Sequence, residues 1–129
     1  MSIISDIAIA VKTIHVEKFM QVCKDNGYDM EHDANMFKRH ARGVLCILNE
    51  IETYSINIAN ILEYLKENIP IKDFLIIEAC STYPGSEDED AGKWNNNPWK
   101  IRKVISVSIG FNGSNELKYL QACCPRTIT

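Results

Sequence analysis

Four consecutive carboxylates, Glu87-Asp88-Glu89-Asp90, precede both tryptophans of the chain, Trp94 and Trp99, in one stretch rich in Gly, Asn and Pro. Adjacent acids repel one another and set up a strong negative field, so they suit the steering of a basic protein surface. Large aromatic side chains beside them can anchor such a partner, because aromatic residues dominate binding hot spots. The competing reading for the indoles is that they fold back over a sheet while the acids are solvated. A calcium loop is excluded by spacing: counting from Asp88, the fifth position is Gly92, and no acid stands at the twelfth. A phosphate loop is excluded as well. Six residues, not four, separate Gly85 from Gly92, and Lys93 is followed by Trp94 where a Ser or Thr is required.

Other reactive side chains are sparse. His32 and His40 are eight positions apart, too far along a helix to share one metal ion. Lys38, Arg39, His40 and Arg42 form a basic patch, read as a solvated face that can also hold an anion or pair with the acidic run. Cys80 lies at the end of an apolar stretch beside Ser81, where nucleophiles often emerge, but no histidine can be placed next to it from sequence. A buried structural cysteine is the simpler account. Glu78 interrupts an apolar strand face and Tyr83 follows it, which makes both minor site candidates. No catalytic group, metal site or cofactor is expected.

Composition sets wider bounds. A chain of 129 residues, 46% hydrophobic and 24% charged, fits one domain spanning 1–129 with a sizeable core. Fourteen basic and seventeen acidic residues give a net charge of −3, which argues against sequence-independent nucleic-acid binding. The apolar N-terminal run is broken by Asp6 and has no basic flank, so neither a signal peptide nor a membrane span is expected. Five cysteines, an odd number with no Cys-x-x-Cys pair, fit reduced thiols in a cytoplasmic protein.

The elements that must position these residues follow from periodicity. Ile4, Ile7, Val11, Ile14 and Phe19 predict an amphipathic helix over about 3–25, closed by Asn26-Gly27. Met30, Ala34, Phe37, Ala41, Val44, Leu48, Ile51, Ile58, Ile61 and Leu65 predict helix over about 30–68, as one long helix kinked near residue 54 or as two. Alternation predicts strands over about 71–81 and 101–111, joined by the long acidic loop, and Ser114 to Gln121 predicts a short helix over about 114–123. The expected class is α+β, with N-terminal helices packed on a small antiparallel sheet.

The favoured function is a non-enzymatic protein that binds a basic partner, such as a toxin nuclease, by occluding its active surface. Glu87, Asp88, Glu89, Asp90, Trp94 and Trp99 are the expected contacts. In size, charge and intracellular character the chain resembles immunity proteins that neutralise bacterial toxins, or small phage-encoded inhibitors of host defence. The resemblance rests on no motif. The expected state is a monomer or weak dimer, without direct nucleic-acid or membrane contact. Two alternatives are a small enzyme or ligand-binding domain with 81–100 as its lid, and an oligomeric scaffold built on the 30–68 helix.

Overall fold

The computed structural model describes residues 4–52, 55–80, 90–110 and 113–123. Its first element is a strand, β1 (Ile4–Lys12), and only Thr13–Asp25 of the expected 3–25 helix is helical (α1). The run Ile7-Ala8-Ile9-Ala10-Val11 is buried throughout, as a central strand covered on both faces requires. Where every position is apolar, three- and four-residue spacings are present by default and do not identify a helix. The β-branched Ile7, Ile9 and Val11 then favour the extended backbone. Helix α1 buries Phe19 and Cys23 and ends at Asn26, followed by Gly27 at φ 85°.

The expected helix over 30–68 is four elements: a single helical turn α2 (Met30–Asp33), strands β2 (Met36–His40) and β3 (Gly43–Glu52), and helix α3 (Ile56–Asn68). The physical reason is the same as in β1, since Val44 to Leu48 are all buried and therefore show no face preference by which to fix a period. Helix α3 begins just past the expected break and buries Ile58, Ile61, Leu62 and Leu65 at helical spacing. A 3-10 turn (Ile71–Asp73) leads into β4 (Phe74–Cys80), which matches its expected span closely.

Strands β4 and β6 (Arg102–Gly110) do not pair with each other as expected. A five-stranded antiparallel sheet runs β2-β3-β1-β4-β5, where β5 is only Ala91–Gly92, and β6 pairs instead with β7 (Gly113–Gln121) in a second, two-stranded sheet. The short helix expected over 114–123 is therefore strand β7, in register from Arg102↔Gln121 to Gly110↔Gly113. A partner strand satisfies the backbone along its whole length, an effect the few apolar positions of that segment do not reveal. The class is mixed α+β. Its first six main elements run βαββαβ in spatial order 2-3-1-4, the split-βαβ arrangement.

Strand alternation gives the sheet two covered faces. Ile7, Ile9, Val11, Val44, Cys46, Leu48, Phe74 and Ile76 meet α1 and α3 in the larger core. Ala8, Ala10, Leu45, Ile47 and Leu75 point the other way, into a second core with Trp94, Trp99 and Ile101. The alternation of Phe74 and Ile76 against Leu75 is the one expected from sequence. No helix among the described residues is long and apolar enough to cross a membrane.

Candidate functional site

The tryptophan-bearing half of the long connection is fastened to the sheet. Trp94 and Trp99 are each 1% exposed and meet edge to face, with ring centroids 6.1 Å apart. The small side chains of Ala8 and Ala10 leave the volume they fill. Gly43 is required by the same approach, because a Cβ there would lie 2.8 Å from Trp94 Cη2 and would collide with the Val11 carbonyl. Asn97, buried in the middle of this segment, donates from Nδ2 to the Trp94 carbonyl (2.9 Å). Its Oδ1 accepts from the Trp99 and Ile101 amides (3.2 and 3.4 Å). The Trp94 amide donates to Phe74 O (3.1 Å) and the Lys93 amide to Ile71 O (2.6 Å), tying the segment to the start of β4. Trp94 Nε1 is buried and has no acceptor among the described residues.

Of the expected partner contacts, Glu87, Asp88 and Glu89, with Tyr83, lie outside the described residues. Asp90 accepts the Glu78 amide on Oδ1 (2.9 Å) and pairs with Lys103 Nζ (3.0 Å). Its carboxylate thus occupies an amide on the outer edge of β4, just past the two-residue β5, where an open edge would invite strand addition. Glu78 is 4% exposed, opposite Ile7 on the strand face that packs against the helices.

Strand register collects charge at the two ends of the sheet. At one end Ser5 pairs with Cys80, Ile4 with Glu52, and Asp6 Oδ1 accepts the Glu50 amide (2.9 Å). That bond serves a bulge in β3, where Glu50 takes a left-handed conformation at φ 54°. The exposed Glu50 and Glu52 and the half-buried Asp6 therefore flank the place where the chain leaves β4 at Cys80 and returns at Asp90. Sequence reading missed this set, since Asp6, Glu50 and Glu52 become neighbours only through the β3-β1-β4 pairing.

The other end is cationic. Lys12 pairs in register with Gly43, and Gly43 with His40. Lys12 Nζ and Arg42 Cζ each lie 6.0 Å from the Trp94 ring centroid, and His40 meets Trp99 edge to face at 6.2 Å. Asp73 pairs with Lys12 (3.1 Å) and His15 (2.9 Å). The His15 hydrogen bond, then that of Lys12, holds the Asp73 carboxyl below its ordinary value of 3.8. Arg39 is bound to Glu31, whose carboxyl its guanidinium keeps below the usual value.

Among the described residues the components of a covalent site are not brought together. His15 and His40 stand at the opposite end of the sheet from Cys80, separated by the length of β4, about 20 Å for a strand of that size. His32 lies 3.8 Å from Asp29 on α2. Burial pushes the Cys23 thiol up to about 12 and raises Cys46 further, so neither supplies a thiolate nucleophile near neutrality. Among the described residues no group of His, Cys, Asp and Glu side chains could hold a metal ion. A cavity of about 660 Å³ between α1, α2 and β2 is lined by mixed charges, including Glu17, Lys24, Asp29, Glu31 and Arg39. Comparison with protein-family models, with curated proteins and with solved structures finds no match to this chain.

Proposed function

We propose that the chain is a non-enzymatic binding protein whose acidic end neutralises a basic protein partner, in the manner of an immunity protein that occludes the cationic surface of a toxin nuclease. The observation that supports this reading is that strand pairing brings Asp6, Glu50 and Glu52 to the end of the sheet where β4 stops at Cys80, and the sequence that continues from there carries the acidic run Glu87–Glu89. Acids concentrated at one end of a molecule of net charge −3 raise the encounter rate with a basic surface and orient it. The free thiols of Cys23, Cys46 and Cys123 support an intracellular setting.

In this proposal the tryptophans take the second of the two parts open to them in sequence, folded over the sheet. Their 1% exposure supports a role in holding the returning limb of the acidic segment there and not in contacting the partner. The lid alternative loses support because that limb is core structure. The scaffold alternative loses its 30–68 helix.

The test uses charge and not deletion, since shortening across 86–97 would remove Trp94 and Asn97 from the core. Tagged wild type and the variant Glu87→Gln/Asp88→Asn/Glu89→Gln are used to capture partners from the native cell. The proposal expects a basic protein retained by wild type and lost from the variant, with binding weakened by added salt. Equal capture by both would overturn it.

A further inference from the structure

We infer that the shallow cleft at the cationic end, between the start of α1 and the Ala41-Arg42 turn, binds a phosphate group. Lys12, Thr13, Ile14, Ala41, Arg42 and Trp94 line this space of about 360 Å³. Its two walls are pinned together, with the Thr13 amide donating to Arg42 O (3.0 Å) and the Thr13 hydroxyl to Ala41 O (2.8 Å). The position of Arg42 is thereby fixed relative to Lys12.

The charges across the cleft are unbalanced. Arg42 Nη2 donates to the Asn96 carbonyl (2.7 Å), which orients the guanidinium without neutralising it, and no carboxylate pairs with Arg42 among the described residues. Lys12 shares Asp73 with His15, and the first turn of α1 carries no acid. The buried indole of Trp94 forms a floor 6.0 Å from both cations, so neither is held only by solvent. A positioned guanidinium with remaining N–H donors beside an ammonium matches the oxygens of a phosphate, and the guanidinium prefers such planar, two-point recognition. Ile14, 82% exposed at the mouth, offers apolar contact to whatever carries the phosphate. The site is distinct from the acidic end and independent of the proposal made for it.

The test is an amide-resolved NMR titration of the full chain at constant ionic strength. Inorganic phosphate, phosphoserine and adenosine monophosphate are the phosphate probes, with acetate as the carboxylate control. Saturable shifts centred on Thr13, Ile14, Ala41, Arg42 and the Trp94 indole N–H are expected for phosphate and not for acetate, and the tighter of the two esters names the carrier. Arg42→Gln, which removes the charge and leaves a polar side chain, should weaken binding about tenfold, and Arg42→Lys less, with a folded spectrum in both. Dispersed, non-saturating shifts, or an unaltered titration in Arg42→Gln with a folded spectrum, would overturn the inference. Glu87→Gln/Asp88→Asn/Glu89→Gln should titrate as wild type, so this result is independent of the fate of the acidic-end proposal.

Discussion

Asn97 does more for the fold than any other polar residue between β5 and β6, since one buried carboxamide closes three backbone groups of the segment that carries both indoles. Replacing it by Ala leaves those groups without partners in a dry environment. Asn97→Ala should therefore cost about 2–4 kcal/mol, read from the shift of the urea unfolding midpoint. A loss under about 0.5 kcal/mol, the range of ordinary surface substitutions, would show that the segment holds itself without the carboxamide. In the sequence Asn97 reads only as part of an Asn-Asn-Asn-Pro turn, because its bonds join residues whose burial is decided by the sheet. Asp73 makes a second prediction at this scale. Its folded pKa lies below 3.8, so its pairing with His15 and Lys12 stabilises the fold above that value and is lost as pH falls through the depressed one. Stability measured from pH 7 to pH 3 should fall less steeply for Asp73→Asn than for wild type. Identical acid limbs would remove Asp73 from the account.

At the scale of elements, the meeting of β1, β3 and the Trp94 ring leaves no room for a side chain at position 43. Gly43→Ala must displace either the Val11 carbonyl or the indole, and should destabilise by about 1–3 kcal/mol, as overpacked cores do. Thermal unfolding followed by tryptophan fluorescence measures this directly, and an unchanged midpoint would mean that the indole is not seated there. The elements that were legible in the sequence are those with one covered face or a short apolar run bounded by turn residues. Helix α3 shows its apolar stripe, and β4, although covered on both faces, is a short apolar run set off by Pro70 before it and Pro84-Gly85 after it in the sequence. Strands β1 and β3 were not legible, because burial on both faces removes the contrast from which a period is read. Strand β7 was hidden for another reason: its backbone is satisfied by β6, and pairing of that kind is not written in local propensity.

Among the described residues, Asp6, Glu50, Glu52 and Asp90 lie toward one end of the larger sheet, with Lys103 paired to Asp90, and Lys12, His15, His40 and Arg42 lie toward the other, with Asp73 between Lys12 and His15. Antiparallel order causes this, since it brings the start of β1, the end of β3 and the end of β4 together. The acidic run was conspicuous in sequence, but Asp6, Glu50 and Glu52 are far from it along the chain, and only topology brings them to the end of the sheet where β4 stops at Cys80. The split-βαβ order itself hosts unrelated functions, so the functional reading rests on the charges and not on the fold. The measurement that bears on it most directly is the association rate of the purified protein with its captured basic partner, followed by stopped flow across ionic strength. Wild type should associate quickly with a rate that falls steeply as salt is added, while Glu87→Gln/Asp88→Asn/Glu89→Gln should be about tenfold slower at low salt and nearly flat. Coincident rates and salt slopes for the two proteins would contradict the account.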